Sequence, residues 1–175
     1  MYEEGCGVDS DLVKAVYWYL LAVEQRDIVA LHKLRCLATE QMNSEAQFVL
    51  GMLFMEGRGV EQAREEGVSF LRRAVYQDHA RAQFALGNLF KKGVGVVKDL
   101  SEAVRLYRLA AKQGLAEAQC GLAFMYEKGL GIDRDFNEAV RLYGLAVEQG
   151  SVNAACSLGS MYYEGRGVLA DNREA

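Results

Sequence analysis

The chain repeats a short glycine loop at a constant interval, and this repetition limits the fold more than any other feature. A Gly-x-Gly motif followed by valine or isoleucine begins at Gly5, Gly57, Gly93, Gly129 and Gly165. The last four are 36 residues apart, whereas the step from Gly5 to Gly57 is 52 residues, 16 more than the period. Because self-similarity at a period of about 20–50 residues is typical of repeat architectures, we expect an array of repeated units.

The repeat around Gly129 predicts a helical hairpin. Apolar residues recur at helical spacing on both sides of the loop, which predicts helices over 116–128 and 136–149. Glycine tolerates a positive φ, so the loop can end one helix and turn the chain into the next. The chain contains no proline, the residue that most disrupts helix interiors, and this agrees with a largely helical fold.

The ends of the second helices carry recognisable signals, with two exceptions. Asp135, followed three residues later by Glu138, predicts a capping box, and Gly150 predicts a glycine C-cap. Arg26 and Asp78 stand at the position of Gly150 in other repeats. We therefore expect those two helices to end by a different arrangement.

One repeat lacks the usual start of its second helix. Gln-Ala-Arg-Glu-Glu-Gly at 62–67 replaces the aspartate cap and the alanine found in the other repeats. Glycine near a helix start costs about 0.5–1 kcal/mol relative to alanine. The turn before this helix is therefore expected to be loose.

Small and large apolar residues recur at fixed places in every repeat. The alanines that open the first helices are Ala46, Ala82, Ala118 and Ala154. A leucine follows four residues after each alanine, and an aromatic residue follows four residues after that. No single hairpin can bury both of its faces, so we expect stability to come from the stacking of neighbours.

The repeated pattern resembles the Sel1-like repeat family, a branch of the tetratricopeptide-like helical hairpins. In one repeat the matching residues are Ala82, Leu86-Gly87, Phe90, Gly93-Val94-Gly95-Val96, Asp99, Glu102-Ala103, Tyr107, Ala110-Ala111 and Gln113-Gly114. The resemblance implies an all-α fold, an alpha-alpha superhelix in which hairpins with a 36-residue period form a right-handed solenoid. The plain tetratricopeptide repeat is the nearest alternative, but its period is about 34 residues and it lacks the glycine loop.

The register divides the chain into one array with an irregular place. We predict a partial repeat at 1–26, an inserted or degenerate helix at 27–43, full repeats at 44–79, 80–115 and 116–151, and a truncated repeat at 152–175. The insertion predicts a helix at 28–40, with the apolar residues Ile28, Leu31, Leu34 and Leu37. Because one added helix reverses the direction of the chain, we expect the regularity of the solenoid to break here.

Both ends of the chain fall inside a repeat. Tyr2 stands at the aromatic position near the end of a first helix, and 171–175 begins a second helix. Solenoids need polar capping repeats at their termini, so this pattern indicates a piece of a longer protein. The alternative is a complete chain whose uncapped ends associate with another copy.

The sequence contains no catalytic or metal-binding constellation. Its two histidines are His32 and His79, and we expect a surface or packing role for His79 at a repeat junction. No Cys-x-x-Cys or His/Cys cluster has zinc-site spacing. The glycine loops lack the lysine and the preceding strand of a phosphate-binding loop. We therefore predict no enzyme, no catalytic residue, no metal and no cofactor.

Charge and hydropathy narrow the class of partner. The net charge is −4, and acidic residues surround the basic pairs Arg72-Arg73 and Lys91-Lys92. This pattern favours a solvated surface over nucleic-acid binding. No apolar run approaches the ~20 residues that span a membrane, so membrane insertion is not expected.

The cysteines are predicted to be free thiols. Cys120 and Cys156 stand at equivalent places in consecutive repeats, which are too far apart for a disulfide. Cys6 lies in a glycine loop and Cys36 in the insertion. Free thiols and the lack of a signal peptide in this segment slightly favour a cytoplasmic location.

One face of each first helix varies between repeats and is the candidate binding surface. The partner-binding candidates on this face are Phe48, Met52, Met55, Phe84, Asn88, Lys91, Phe124, Glu127, Ser160 and Tyr163. In tetratricopeptide-like stacks the first helices line the concave side, so the resemblance implies that these residues line a groove. Four of them, Phe48, Met52, Phe84 and Phe124, are larger and more apolar than a solvated face requires. The alternative is that they pack between neighbouring first helices.

These observations predict a scaffold or adaptor that presents its concave groove to a peptide or helix of another protein. One alternative is a structural repeat segment of a larger multidomain protein, with no partner of its own. The resemblance also suggests a second alternative, a hydrolase acting on cell-wall-like material. Such an enzyme needs a nucleophile beside a base, and the sequence offers no such pair.

Overall fold

A computed structural model describes residues 11–167, which form nine α-helices and no strand. The helices are α1 (Leu12–Glu24), α2 (Ile28–Thr39), α3 (Ser44–Glu56), α4 (Arg64–Tyr76), α5 (Ala80–Lys92), α6 (Leu100–Lys112), α7 (Ala116–Lys128), α8 (Phe136–Glu148) and α9 (Val152–Tyr163). The all-α fold is confirmed, and so are the two helices predicted around Gly129, which are α7 and α8. The predicted helix end at Tyr2, the loop at Gly5 with the Cys6 thiol, and the helix start at 171–175 lie outside the described residues.

The chain separates into two compact units, Met1–Ala82 and Gln83–Ala175. In the first unit α3 packs against α4, and α2 packs against both α1 and α3. In the second unit α7 packs against both α6 and α8, and α8 packs against α9. The core of the second unit consists of the repeated small and large residues, among them Ala103, Tyr107, Leu122 and Tyr143.

Arg26 and Asp78 end their helices in the same way as glycine, contrary to expectation. Both adopt a positive φ, 66° at Arg26 and 57° at Asp78, close to the left-handed conformation of Gly114 and Gly150. The hydrogen bonds are also the same. The Arg26 N–H donates to the Val23 carbonyl at 2.8 Å, as the Gly150 N–H donates to that of Val147 at 2.8 Å. The backbone geometry of this turn is therefore retained at the cost of strain in a residue with a Cβ.

Asp135 caps α8, but the predicted capping box is only half formed. The Asp135 carboxylate accepts hydrogen bonds from the N–H groups of Asn137 and Glu138, each at 3.0 Å. The Glu138 carboxylate pairs with Arg141 instead of returning to the cap. The Asp135 N–H donates to the Tyr126 carbonyl at 3.1 Å, so it is already satisfied.

The turn before α4 has no side-chain cap, as expected, but it keeps the backbone hydrogen bond found in other repeats, and Gly67 has a packing role. The Ala63 N–H donates to the Phe54 carbonyl at 3.0 Å, the same bond that Asp135 forms in its own repeat. A Cβ at Gly67 would lie 2.9 Å from both the Gly51 carbonyl oxygen and Cγ of Met55. Gly67 therefore allows the close approach of α3 and α4 that a side chain would prevent.

Buried glutamines join the two helices of each hairpin. Gln47, Gln83 and Gln119 are almost fully buried. Each accepts a hydrogen bond at 2.8–2.9 Å from the glutamine 30 residues later, which lies at the end of the second helix. Because a buried amide without partners is costly, these pairs hold the hairpins in one register.

The inserted helix α2 starts like a first helix of a repeat and ends like a second helix. Asp27 caps its start, at the place where Ser151 caps a first helix. Its end resembles that of a second helix, because its Ala38 carbonyl accepts from the buried Gln47 side chain at 2.9 Å. The Ala111 carbonyl of α6 accepts from Gln119 in the same way, at 3.5 Å.

The second glycines of two loops, Gly59 and Gly131, lie against different ends of a second helix because of this extra helix. A Cβ at Gly131 would lie 2.5 Å from the carbonyl oxygen of Leu100, at the start of α6. A Cβ at Gly59 would instead strike the carbonyl oxygen of Val23, near the end of α1. The loop after the insertion thus lies against the opposite end of a second helix, which marks an irregular place in the first unit.

Candidate functional site

The predicted binding residues of α5 and α7 lie close together in the second unit. The Phe84 ring packs against Tyr107, with 5.5 Å between ring centroids. The Lys91 Nζ lies 5.8 Å from the centroid of the Phe124 ring. We refer to Phe84, Asn88, Lys91, Phe124 and Glu127 as the α5–α7 patch.

Phe124 is the exposed aromatic side chain of the α5–α7 patch. It retains 38% of its accessible surface. Besides Lys91, the Nζ of Lys128 lies 5.9 Å from its ring centroid. Two ammonium groups near one aromatic ring form cation–π contacts, so the ring is held in place while much of it stays accessible.

Asn88 is oriented by a buried tyrosine. The Tyr107 hydroxyl donates to Oδ1 of Asn88 at 2.7 Å. Burial raises the pKa of Tyr107 to about 12, so the hydroxyl keeps its proton at neutral pH and remains a donor. The Asn88 carbonyl oxygen therefore faces Tyr107, and the side-chain NH₂ group has no partner among the described residues.

Lys91 lies three residues after Asn88 and is half-buried. Burial, followed by the nearby charge of Lys92, lowers the pKa of Lys91. Its ammonium contacts the rings of Tyr107 and Phe124. Among residues 11–167 no carboxylate forms an ion pair with it.

Glu127 is a carboxylate within the same patch, and it is 7% exposed. It accepts hydrogen bonds from Lys128 at 2.7 Å, Tyr143 at 3.0 Å and Arg166 at 3.0 Å. Burial alone would raise the pKa of Glu127, but these hydrogen bonds outweigh it and hold the pKa below its usual value. Glu127 thereby links α7 to the glycine loop that contains Arg166.

The candidates in the first unit are packed more deeply. Phe48 and Met55 are each 8% exposed, and Met52 is half-buried. Phe48 stacks on the His79 ring at 5.1 Å, and the Arg81 guanidinium lies 4.6 Å from its centroid. Phe48 and Met55 therefore act as packing residues in this structure.

His79 has the packing role that the sequence predicts. Its Nδ1 accepts a hydrogen bond from the Ala82 N–H at 3.2 Å, which caps the start of α5. Its Nε2 lies 2.9 Å from a carboxylate oxygen of Glu45. This hydrogen bond, opposed by burial and aided by Arg81, lowers the pKa of Glu45.

Ser160 and Tyr163 lie on α9. The Ser160 hydroxyl donates to the Cys156 carbonyl within the helix at 3.1 Å. Tyr163 is 93% exposed. Both side chains are accessible, and among the described residues neither forms a hydrogen bond, ion pair or ring contact with the α5–α7 patch.

Several neighbours of the α5–α7 patch were not predicted from the sequence. Tyr107, Lys128 and Arg166 contact it from α6, from the end of α7 and from the next loop. Tyr107 matches the repeat pattern of the family, and it is fully buried. Its hydroxyl, however, reaches the patch, and the helical pattern gives no signal for that.

A thiol–imidazole pair was also missed. The Cys36 Sγ lies 3.6 Å from Nε2 of His32, four residues earlier on α2. The spacing of four on a helix is a signal that the sequence contained. Cys36, Cys120 and Cys156 are free thiols, as predicted. No group of three or more metal-binding side chains occurs among the described residues, and none of their helices is long and apolar enough to cross a membrane.

The helices, their hairpins and the 36-residue repeat define a helical-hairpin repeat protein of the tetratricopeptide-like class. The Sel1 repeat family model matches residues 1–27, 44–79, 80–115, 116–151 and 152–175. The chain therefore belongs to the Sel1 repeat family. Proteins of this family are generally protein-interaction scaffolds and typically lack enzymatic activity.

Two solved structures resemble this chain in both sequence and fold. One is c5321, a protective antigen of uropathogenic Escherichia coli with an SLR fold, at 33% identity and a TM-score of 0.79. The other is a Sel1 repeat protein from Oxalobacter formigenes, at 32% identity and a TM-score of 0.67. They align with 98% and 95% of this chain, which spans only 33% and 62% of their respective lengths.

A more distant structure shares the fold alone. Cysteine-rich protein B of Helicobacter pylori is 21% identical, with a TM-score of 0.54 over 85% of this chain and 96% of its own. No curated protein sequence matches the chain.

Proposed function

We propose that this chain is a scaffold that binds a peptide or helix of a partner protein through the α5–α7 patch. The observation that carries the proposal is Phe124, an aromatic ring with 38% of its surface exposed between two lysines. Aromatic side chains at the centre of an interface often supply much of the binding free energy. The contacts that hold the ring also limit the conformational entropy lost on binding.

The surroundings of Phe124 support this role. Phe84 is half-buried and packs against Tyr107. It also lies close to α7, because a Cβ added at Gly121 would be 3.4 Å from its ring. An apolar side chain of a partner could contact both rings, while Asn88 and Lys91 supply hydrogen-bond donors at the edge. An apolar centre with a polar edge is the usual composition of a protein interface.

The hydrolase alternative has one observation in its favour, the pair formed by Cys36 and His32. A thiol beside an imidazole combines a nucleophile with a base. Both residues, however, lie on the solvent-facing side of a single helix, with His32 exposed and Cys36 half-buried. Together with the typically non-enzymatic character of the family, this favours the scaffold.

The experiment compares Phe124→Glu with Tyr76→Glu, a control that changes an aromatic residue of α4 with 91% exposure. Each protein is immobilised and used to select from a phage-displayed library of random peptides, and circular dichroism checks helicity. The wild type and Tyr76→Glu should select the same peptides. Phe124→Glu should stay helical, because its side chain is partly solvated, and should select none of them.

The alternatives predict different results. If the wild type selects no peptides, this segment has no partner surface of its own and is a structural part of a larger protein. If Phe124→Glu selects the same peptides as the wild type, a partner binds elsewhere. Phe84→Glu is less suitable as a test, because Phe84 packs against Tyr107 and its loss should also lower stability.

A further inference from the structure

Asn88 and Lys91 present hydrogen-bond donors on one turn of α5. The Tyr107 hydroxyl occupies the Asn88 carbonyl oxygen and leaves the NH₂ group available. Three residues later, the Lys91 ammonium has ring contacts but no carboxylate partner among the described residues. Residues three apart on a helix lie on the same face, so the two donors can reach one acceptor.

The burial of Lys91 makes the lack of a carboxylate informative. Removing an ammonium from water is unfavourable unless an anion or hydrogen-bond acceptors replace the lost solvation. Burial lowers the pKa of Lys91, which reflects that cost. A bound carboxylate would restore a favourable environment for the charge.

The next repeat contains a carboxylate at the equivalent position. Glu127 stands 36 residues after Lys91, as Tyr143 stands 36 residues after Tyr107. Glu127 is held by the Tyr143 hydroxyl and by the cations of Lys128 and Arg166. The preceding hairpin therefore has an ammonium, that of Lys91, at the position of this carboxylate, and Lys92 and Leu130 stand at the positions of Lys128 and Arg166.

We propose that Asn88 and Lys91 form a subsite for a side-chain carboxylate of the partner. The partner segment then carries aspartate or glutamate close to a large apolar residue, which contacts Phe124 beside the subsite. This inference rests on the proposed function, since it identifies the partner that binds the α5–α7 patch. It adds that the partner needs one acidic side chain that reaches Asn88 and Lys91.

The charges favour an acidic peptide over nucleic acid. Lys128 and Arg166 are both paired with Glu127, so Lys91 is the cation of the patch that lacks a carboxylate among the described residues. Nucleic-acid binding draws on many unpaired cations, and the chain has a net charge of −4. One unpaired lysine beside an aromatic ring suits a single carboxylate.

The test uses Lys91→Met, with Lys92→Met as its matched control. Lys92 is the adjacent, exposed lysine of the same helix, so both variants lose one charge at nearly the same place. A random peptide library fused to phage through its C-terminus, and therefore without a free terminal carboxylate, is selected on each protein. The wild type and Lys92→Met should enrich aspartate or glutamate near a large apolar residue. Lys91→Met should keep the apolar preference and lose the acidic one.

A selected peptide and its Glu→Gln version then give the magnitude by fluorescence polarisation. A hydrogen bond to a charged group typically changes affinity by about 10-fold or more. The wild type should prefer the glutamate peptide by at least that factor, and Lys91→Met should bind both equally. Asn88→Leu should reduce the preference, and circular dichroism should show that each variant is helical.

The other outcomes each contradict the proposal. If the wild type enriches apolar peptides without acidic residues, and Phe124→Glu no longer selects them, the proposed function stands and this inference alone is overturned. Enrichment only from a second library with free C-termini shows that the subsite binds a terminal carboxylate instead. If the wild type binds a single-stranded oligonucleotide and Lys91→Met does not, the subsite binds phosphate instead. If no peptide is enriched on the wild type, both proposals fail.

Discussion

Residues at the same repeat position carry different amounts of backbone strain. Gly114 and Gly150 adopt the left-handed conformation without penalty, whereas Arg26 adopts it with a φ of 66°. For a residue with a Cβ this conformation costs roughly 1–2 kcal/mol. The turn thus imposes the same positive φ in these repeats, and the residue at that position determines whether this φ is strained.

Arg26→Gly should therefore stabilise the protein by roughly 0.5–1 kcal/mol, because relief of strain exceeds the added flexibility of the unfolded chain. The converse change, Gly114→Ala, should destabilise it by about 1 kcal/mol. A Cβ at Gly114 meets nothing within 4 Å, so this loss reflects φ alone. Urea unfolding monitored by circular dichroism measures both. A decrease in stability for Arg26→Gly would show that the arginine side chain contributes more than its backbone strain costs.

The charge of Glu127 should make stability depend on pH. Its pKa in the folded protein is lower than that of an unperturbed glutamate, so the charged carboxylate stabilises the folded state above the unperturbed pKa. The stabilisation is lost as the pH falls through the folded-state pKa. Relative to Glu127→Gln, the wild type should be more stable by about 1–3 kcal/mol at pH 7, and the difference should shrink as the solution is made more acidic.

Urea unfolding at neutral pH and at a series of acidic pH values measures this difference. Glu148→Gln, which changes an exposed residue at the end of α8, serves as the control and should show little difference at any pH. A stability difference for Glu127→Gln that stays constant down to acidic pH would mean that the hydrogen-bond geometry, rather than the charge, stabilises this site.

At the scale of the elements, α2 shows how one helix is accommodated within a two-helix repeat. It begins with the cap of a first helix and ends with the glutamine contact of a second helix. The four apolar residues predicted for it do not behave alike. Leu34 and Leu37 are fully buried, Leu31 is partly buried and Ile28 is 80% exposed. Its packing against both α1 and α3 makes it a part of the core of the first unit.

Leu37→Ala should consequently cost about 2–5 kcal/mol, as is typical of a fully buried leucine. Ile28→Ala, at the start of the same helix, should change stability by less than about 0.5 kcal/mol. Urea unfolding of both variants gives the comparison. Similar small effects would mean that α2 is an appended helix that the remaining core does not need.

At the scale of the whole molecule, the described helices pack mainly against their neighbours in the chain. The helix pairs with the most extensive packing are α3 with α4 and α7 with α8, which are the two helices of single repeats. Architectures of this kind draw their stability from each repeat and its adjoining interfaces. This locality is why the spacing of apolar residues and the glycine loop could place α7 and α8 within one residue of their observed ends, and why a repeat resemblance could predict the fold class.

The same locality explains which parts of the candidate site could be predicted. The repeat register placed Phe84, Asn88, Lys91, Phe124 and Glu127 on one face of the first helices. In the structure Phe84, Asn88 and Lys91 contact Tyr107, and Lys91 also contacts Phe124. Glu127 joins them only through Lys128, which also contacts Phe124. The repeat register could not tell exposed residues from buried ones. Met55 and Tyr163 occupy equivalent positions, yet Met55 is 8% exposed and Tyr163 is 93% exposed.

The sequence by itself determined the all-α hairpins, their 36-residue period and the residues that share a helix face, because these depend on contacts within a few turns of chain. Only the tertiary structure decided the packing role of Gly67, the two different ends of α2 and the hydrogen bond from Tyr107 that orients Asn88. Each of these depends on a side chain or carbonyl from another helix. Helical periodicity gives the direction of a side chain from its own axis, but not the atoms that it meets there.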